Sequence, residues 1–369
     1  MKILVTGAKG FVGKNLIATL NALKTHEIFE ADVETTPEEL DRFTQECEFV
    51  FHLAGVNRPQ NTEEFMSGNF GFTSTLLQLM ISHSNKSPIV ITSSIQAALD
   101  NPYGISKKAG EDLMFHYRET QRAPIYVYRL ANLFGKWSRP NYNSVVATFC
   151  HNISHDLPIQ ISNPAATLEL CHIDDVVHEF VEVLHGHAIY NGKFCVIPWT
   201  VTVTLQELSD KLYAFRATRD NLNLPVFTSR FDRQLYGTYL SYLETDNFNY
   251  LLKQNVDNRG WLAEFIKSPD FGQVFVSKTF PGITRGNHWH HTKAEKFLVV
   301  HGKGEIRFRH IFSHDIIVYP VDGDKPEVLD IPTGYTHSIT NTSDQDLITL
   351  FWSTEVFDPN HPDTYYQEV

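Results

Sequence analysis

The chain has 369 residues, 42% of them hydrophobic and 20% charged, with a formal net charge of −12. That length has room for two domains, and the composition is that of an ordinary folded protein. The acidic balance and the lack of any basic run exclude a general nucleic-acid binder, while local amides and a few arginines still allow an anionic ligand. No run of about 18 apolar residues is available to span a bilayer, and Met1 leads straight into an apolar run with no signal-peptide pattern, so a cytoplasmic protein is expected. Cys47, Cys150, Cys171 and Cys195 are scattered without a C-x-x-C pair, which favours buried reduced thiols over a disulfide framework.

Lys2 to Thr6 is a short apolar run, followed by Gly7-Ala-Lys9-Gly10-Phe11-Val12-Gly13 and a helical pattern over 14–23. Strand, glycine turn and helix form the context in which such glycines carry meaning. They permit the tight turn and let the backbone approach a pyrophosphate, and the helix start beyond them offers unpaired N–H groups. Gly7, Lys9, Gly10, Phe11, Val12 and Gly13 are therefore expected to contact a dinucleotide cofactor. Residues 26–32 read as the second strand, ending in Asp32, 25 residues after Gly7. An acid there accepts hydrogen bonds from the adenosine ribose and favours NAD. Its neighbours are Val33 and Glu34 rather than an arginine, whereas Lys9 could reach a phosphate, so NADH and NADPH both stay open. Phe49 to Gly55 is a buried strand whose end, with Leu53 and Ala54, falls where a dinucleotide would cross.

Pro88 to Ser94 is a strand that delivers hydroxyls at its C-terminal end, the edge where open α/β sheets bind ligands. Nine residues later Tyr103-Gly-Ile-Ser-Lys107 leads into a helix through Phe115, with Tyr103 and Lys107 on one face. A nearby ammonium favours phenolate and is expected to lower the tyrosine pKa. A carbonyl being reduced needs a proton on oxygen as hydride reaches carbon; Tyr103 can supply it and Ser94 can hold the same oxygen.

GAKGFVG at 7–13, HLAG at 52–55, the triplet Thr92-Ser93-Ser94 and YGISK at 103–107 together resemble the extended short-chain dehydrogenase/reductase family. Tyr128-Arg-Leu-Ala-Asn132-Leu-Phe-Gly135 is similar to the family's segment that meets a nucleotide-sugar diphosphate. Cys171-His-Ile-Asp-Asp175 is similar to its late H-x-x-D signature before a helix. The resemblance implies a Rossmann-type doubly wound parallel sheet and an NAD(P) cofactor that Lys107 also touches. It implies Ser94, Tyr103 and Lys107 as catalytic residues and Asn132 as a substrate contact. The step of nine from Ser94 to Tyr103 is shorter than usual in the sugar epimerases of the family, in a loop that helps build the site.

Residues 205–215 read as a helix of this first domain, and 220–223, 232–236 and 244–250 as polar and aromatic stretches with no clear apolar face. The first domain is expected over 1–245 and the second over 246–369. From Asp257-Asn-Arg259-Gly260 onward, strand patterns recur at 274–280, 297–300, 304–309, 316–320, 327–331, 338–341 and 347–352. Such spacing predicts an all-β jelly roll or barrel. Inside it lies Gly286-Asn-His288-Trp-His290-His291-Thr-Lys-Ala-Glu295. Two histidines two apart leave the same face of a strand, a carboxylate follows, and His337 offers a third imidazole. Imidazole plus carboxylate suits a borderline divalent ion such as zinc, with iron, nickel or manganese as alternatives.

Gly282-x5-His288-x-His290-x4-Glu295-x6-Gly302 resembles the first cupin motif, and Pro332-x-Gly334-x2-His337-x3-Asn341 the second, with Gly323 set farther from the proline than is usual. The resemblance implies His288, His290, Glu295 and His337 as metal ligands. Asp257-x-Arg259-Gly260 and Arg285-Gly286 are similar to non-metal cupins that epimerise deoxy-4-keto nucleotide sugars, which adds Arg259 and Arg285 as substrate contacts. In those cupins a histidine at the place of His288 abstracts the proton. With His288 on a metal, the base would fall to Lys296, Tyr335 or His291.

Over its whole length, including 137–150 and 286–300, the chain is similar to bifunctional capsular polysaccharide enzymes and their O-antigen relatives, which join these two domains. The resemblance implies a cupin half that epimerises C3 of a UDP-2-acetamido-2,6-dideoxy-4-hexulose. The reductase half would use NADPH on the C4 ketone to give UDP-2-acetamido-2,6-dideoxy-L-talose, a precursor of UDP-N-acetyl-L-fucosamine, in a homodimer. Two other readings stand beside it: an NAD-dependent nucleotide-sugar 4-epimerase with the cupin serving only for dimerisation, and a sugar-binding or regulatory protein built on a degenerate reductase. Intact Ser94, Tyr103 and Lys107 count against the latter. Four protein ligands would also suit a structural zinc.

Overall fold

The apolar runs that open at residues 2, 49, 89 and 125 have no polar face to give to water, so each needs cover on both sides. In the computed structural model, which describes residues 1–369, they become the centre of a parallel sheet. Its elements are β1 (Lys2–Thr6), α1 (Phe11–Leu23), β2 (Glu27–Ala31), α2 (Pro37–Glu46), β3 (Phe49–His52), α3 (Glu63–Phe65), α4 (Phe72–Ser82), β4 (Ile89–Ser94), α5 (Pro102–Gln121) and β5 (Ile125–Leu130). There follow β6 (Asn132–Phe134), α6 (Val145–Ser154), β7 (Thr167–His172), α7 (Ile173–Leu184), β8 (Tyr190–Asn191), β9 (Phe194–Cys195), β10 (Val201–Thr204), α8 (Leu205–Asn221) and α9 (Arg230–Leu240). The strand order is β2-β1-β3-β4-β5-β9-β8, and β6, β7 and β10 make a separate three-stranded sheet.

Order reverses between β1 and β3, which opens a crevice at their C-terminal ends. One face of the sheet packs Phe51 and Tyr128 against Leu16, Val176 and Phe180 of α1 and α7. The other packs Leu4, Val50 and Val127 against Leu76, Met80 and Met114 of α4 and α5. Each such side chain, fully buried, contributes about 1.5–3 kcal/mol of hydrophobic free energy. This is the doubly wound parallel architecture expected. All four cysteines are buried and unpaired, and no helix is long and apolar enough to cross a membrane.

Residues 232–236 had no legible apolar face, yet they lie in α9. That helix starts in a capping box, Ser229 with Asp232, and buries Phe231, Leu235, Thr238 and Tyr239. Its inner stripe includes a threonine and the buried carboxylate of Asp232, which pairs with Lys211 at 2.7 Å, so the polar residues concealed the period. By contacts, the chain divides into Met1–Leu212 with Ser229–Glu244, and Tyr213–Thr228 with Thr245–Val369. The first unit is thus not the single segment 1–245. Helix α8 runs on past residue 215 to Asn221, and 213–228 associate with the second unit.

The second unit holds β11 (Gln254–Asp257), β12 (Gly260–Ser268), β13 (Gly272–Thr279), β14 (Thr284–Trp289), β15 (Glu295–His301), β16 (Lys303–His310), β17 (Ile316–Asp322), β18 (Val328–Ile331), β19 (Tyr335–Asn341), β20 (Leu347–Ser353) and β21 (Tyr365–Tyr366). They form two antiparallel sheets, β11-β12-β13-β20-β15-β18 and β17-β16-β19-β14-β21. Alternating side chains from both sheets, among them Phe297, Ile306, Phe308, Ile339 and Phe351, make one core, a cupin-like all-β domain.

Two helical glycines separate a packing requirement from a mere propensity. A Cβ on Gly104 would stand 2.2 Å from the Gln96 carbonyl oxygen and 2.6 Å from that of Leu99, both backbone atoms; one on Gly237 meets nothing within 4 Å. Gly104→Ala is expected to destabilise by about 1–3 kcal/mol and Gly237→Ala to stabilise by about 0.5–1 kcal/mol. Urea unfolding midpoints read both, and a Gly104→Ala midpoint at or above the parent's contradicts the close contact.

Candidate functional site

At the sheet's switch point two turns press together. Gly7 follows β1 with φ +69°, and a Cβ there would lie 2.7 Å from the Ala54 nitrogen at the end of β3. A Cβ on Gly13 would lie 2.2 Å from the Gly7 carbonyl, so α1 begins directly beneath the turn. Gly10 caps α1 without a side-chain hydrogen bond, which leaves the first-turn N–H groups to an anion. Phe11, Val12, Leu53 and Ala54 are half-buried around this turn. At the end of β2, Asp32 accepts the Lys9 backbone N–H at 2.7 Å and the Val33 N–H at 2.9 Å. The Lys9 ammonium is ion-paired with Glu34. The cofactor residues expected from the sequence therefore converge, with two carboxylates where an adenosine ribose would lie and Lys9 already engaged.

Ser94 ends β4, and the nine-residue step to Tyr103 is filled by a 3-10 turn, Ile95–Ala98. The Ser94 hydroxyl accepts the Gln96 N–H at 3.2 Å to begin that turn. Asn101 then caps α5, its side-chain oxygen accepting the Gly104 N–H at 2.8 Å, with Pro102 at the first helical position. Because Gly104 lets the helix start against the turn, so short a link still brings Tyr103 near enough to Ser94 for the serine hydroxyl to act on its titration.

The Tyr103 pKa does not fall as expected. Burial pushes it up, and the nearby Ser94 hydroxyl only partly opposes this. Lys107 does not hold it down, because its ammonium donates to the Thr92 carbonyl at 2.7 Å. Lys107 as a whole is half-buried, and burial of its ammonium pushes the pKa down to about 8 against the pull of Glu111. Tyr103 is thus protonated at neutral pH, the state an acid needs.

Several residues behind this pair were given no role from the sequence, although His52 opens the HLAG stretch. His52 is fully buried between the Thr6 and Thr73 hydroxyls, 2.8 Å from each, and burial with the nearby Lys107 charge pushes its pKa down to about 3. Asn69 donates to the Ser106 hydroxyl at 2.9 Å and to the Val56 carbonyl at 3.0 Å. Glu111 is buried, accepting Ser93 Oγ at 2.5 Å and both arms of Arg129 at 2.8 and 2.6 Å. Residues 66–71, which carry Asn69, form a π-helical segment, a geometry with no sequence signature. Asn132 is exposed, donating to the Glu169 carbonyl at 3.1 Å. In the H-x-x-D stretch, His172 caps α7 and Asp175 is paired with Arg230 and Gln234 of α9.

In the second unit, His288 on β14 stands directly opposite His337 on β19. The bulge before His288 depends on Gly286, at φ +94°, whose Cβ would meet the His337 carbonyl at 2.8 Å. Glu295 opens β15 on the other sheet, and His290 lies one residue past the end of β14. One ligand atom from each of the four residues lies within 4.8 Å of all the others. Glu295 Oε2 is 3.4 Å from both His290 Nε2 and His337 Nε2, and those two buried nitrogens have no hydrogen-bond partner. Bonds of about 2.1 Å to a tetrahedral ion set its ligands about 3.4 Å apart, so the donor set fits a divalent transition metal such as zinc. Burial brings the His288 pKa down to about 4, leaving it neutral and able to ligate. Burial would raise the Glu295 pKa, but His290 and His337 hold it well below the usual carboxylate range.

Of the residues considered as a base, Lys296 is exposed and paired with Asp330 across to β18. His291 is exposed between Trp289 and Tyr365, and Tyr335 packs against His310. Lys293, which the sequence did not mark, is buried. Arg259 and Arg285 meet at Asp257, Arg259 at 2.6 Å and Arg285 at 3.5 Å. A Cβ on Gly260 would strike the Lys278 carbonyl at 2.0 Å, so the turn that joins them admits no side chain.

The family model described as the NAD dependent epimerase/dehydratase family matches residues 3–192, and the one described as the polysaccharide biosynthesis C-terminal domain matches residues 255–365. The chain is 43% identical, over 99% of its length and 98% of the relative's, to the UDP-2-acetamido-2,6-beta-L-arabino-hexul-4-ose reductase of Pseudomonas aeruginosa. The crystal structure of the capsular polysaccharide assembling protein CapF from Staphylococcus aureus matches with a TM-score of 0.96 at 50% identity, covering 100% of both chains. UDP-glucuronic acid 4-epimerase from Bacillus cereus, solved with NAD, is similar in fold alone, with a TM-score of 0.55 at 18% identity over 66% of this chain and 96% of that one. The chain therefore belongs to the CapF family of capsular polysaccharide proteins, in which an epimerase/dehydratase domain continues into a polysaccharide biosynthesis C-terminal domain.

Proposed function

We propose that this chain is a bifunctional nucleotide-sugar enzyme of capsule or O-antigen polysaccharide synthesis. Its β domain epimerises C3 of a UDP-2-acetamido-2,6-dideoxy-4-hexulose. Its α/β domain reduces the C4 ketone to give UDP-2-acetamido-2,6-dideoxy-L-talose. The observation that carries the reading is the presence, in one chain, of Ser94 near Tyr103, with Lys107 one helical turn on, and a convergent cluster of three imidazoles and a carboxylate. The P. aeruginosa relative, by its name, reduces a 4-ketone of the same sugar class.

In the reductase half, Gly7 to Gly13 would hold the pyrophosphate, and the bound nicotinamide would supply hydride. Ser94 would orient the C4 oxygen, Tyr103 would give it a proton, and the Lys107 ammonium would support the phenolate left behind. In the β domain, His288, His290, Glu295 and His337 would hold a metal, which when bound supplies a Lewis acid. Protons next to a 4-ketone are acidic once the carbonyl is polarised, and removal and return on opposite faces inverts C3. Arg259 and Arg285, steadied by Asp257, would meet the diphosphate. Epimerisation must come first, because reduction removes the ketone that makes C3 acidic. The edge strand β17 exposes Ile316, Ile317, Val318 and Tyr319 by 45–51%, which supports a homodimer.

For the hydride donor, the family resemblance favours NADPH, whereas one specific observation favours NADH. Asp32 and Glu34 put negative charge where a 2′-phosphate would sit, and Lys9 is taken up by Glu34. The ratio of kcat/KM with NADPH to that with NADH distinguishes the two donors. Asp32→Ala should raise that ratio about tenfold, the equivalent of about 1.4 kcal/mol of charge repulsion.

Substrate in deuterated water without reduced cofactor should acquire deuterium at C3, and none in metal-loaded protein refutes the epimerase. Tyr103→Phe should lower reduction at least about 100-fold and spare exchange, while His290→Ala should do the converse. Retained NAD with no net consumption of reduced cofactor would instead support the 4-epimerase reading. Reduction should also fall as pH rises through about 8, where Lys107 loses its proton, since the neighbouring His52 stays neutral across that range. A flat profile from pH 7 to about 9 counts against the role given to Lys107.

A further inference from the structure

His290 stands outside the sheet that carries its neighbours. Strand β14 ends at Trp289 and β15 begins at Glu295, so no ladder holds the turn between them, though it carries one expected metal ligand and leads into another. Its two ends are tied to Gly334 and Thr354, and its middle is held by a residue 70 positions away. The Asp363 carboxylate accepts three consecutive backbone N–H groups, those of His291 at 3.0 Å and of Thr292 and Lys293 at 2.9 Å each, and the Thr292 hydroxyl at 3.2 Å. Three amides converging on one carboxylate form a nest, and they hold the Asp363 pKa below the carboxylate range although burial opposes this.

The main chain of the same residue sets the imidazole. His290 Nδ1 lies 2.6 Å from the Asp363 carbonyl oxygen. A carbonyl only accepts, so Nδ1 carries the hydrogen and Nε2 is left as a lone-pair donor, the atom that faces Glu295 with no hydrogen-bond partner. Asp363 can do both because its φ is +39°, a left-handed conformation that aspartate adopts more readily than most residues.

The flanking residues fix Asp363 in turn. β21 pairs with β14 at Trp289 and His288, and the Gln367 N–H donates to the Asn287 carbonyl at 3.0 Å. The Thr336 hydroxyl, next to His337, donates to the Gln367 carbonyl. Lys293 donates to Thr364 Oγ1 at 3.0 Å and the Pro362 carbonyl at 3.3 Å. Residues 362–367 thus touch the backbone or immediate neighbours of three of the four cluster residues.

We propose that Asp363 is a positioning residue of the metal centre: its carboxylate shapes the 291–293 turn and its carbonyl fixes the tautomer and aim of His290. The proposal rests on the reading of the cluster as a metal site, and the experiment separates the two. Zinc affinity of the full chain is measured by competition with a chromophoric chelator, for the parent, Asp363→Asn and Asp363→Ala, alongside thermal unfolding of the metal-free proteins. The cobalt-loaded forms report ligand geometry through their visible absorption. The parent should bind one zinc. Asp363→Ala should bind about 10–100-fold more weakly, with altered cobalt bands. Asp363→Asn, which keeps the carbonyl and the left-handed preference but one side-chain acceptor fewer, should fall between. Zinc affinity and cobalt spectra equal to the parent's in both variants, even with lowered metal-free melting points, overturn the positioning role. If Asp363→Ala fails to fold, the Asn variant decides alone. A parent chain that binds no zinc or cobalt refutes the metal site itself, and the proposal with it.

Discussion

A lysine ammonium placed in the interior organises the α/β domain around it. Such a charge is costly to bury, and here it is met by the Thr92 carbonyl, with no carboxylate in direct contact. The surroundings are correspondingly polar and uncharged. His52 is held neutral between two hydroxyls, Asn69 is locked by three hydrogen bonds, and Gly55 leaves room where a Cβ would come within 3.4 Å of the ammonium. The nearest acid on the same helix, Glu111, is occupied by Arg129 and Ser93. A fully paired lysine would have kept its ordinary pKa and its proton; this one sits near 8, within reach of physiological change. Tyr103 on the preceding turn is pushed the other way, toward the protonated form. The two shifts share one cause, burial, and leave an acid backed by a positive charge, the arrangement a ketoreductase requires.

The β domain solves a related problem with the opposite sign. A carboxylate is buried between two sheets and faced by two imidazoles whose Nε2 atoms have no hydrogen-bond partner. Buried unpaired polar atoms are rare in folded proteins, and two of them facing one carboxylate make a donor set that a cation would suit. The geometry comes from backbone rather than from side-chain length. A bulge at Gly286 brings His288 level with His337, and Asp363 shapes the turn that presents His290. Under the proposed function, both domains act on one ketone, and the chemistry of that ketone sets their order.

Much of this was legible along the chain because it depends on local rules. A strand, a glycine turn and a helix start must be consecutive to bind a pyrophosphate. Tyr103 and Lys107 must be four apart to share a helical face. Two histidines and a glutamate, from the end of one strand, the turn after it and the start of the next, leave a short, readable spacing. The strand periods of the β domain follow from one buried and one solvated face. Polar stretches with buried partners were harder: α9 hides its inner stripe behind Asp232 and Thr238, and α8 runs six residues beyond the expected helix end at 215 because its later turns belong with the second unit.

The sequence by itself therefore determined the two fold classes, the glycine loop, the Ser94, Tyr103 and Lys107 set and the four candidate ligands, all of which rest on short-range spacing. Only the tertiary structure decided that Tyr103 titrates upward, since burial depends on what is packed around the ring. It alone brought His52 and Asn69 behind Lys107, engaged Lys9 with Glu34, and laid Asp363 over the turn beside His290. Those pairings span 25 to 73 residues of chain, and no local pattern encodes a hydrogen bond whose partner arrives from that far away.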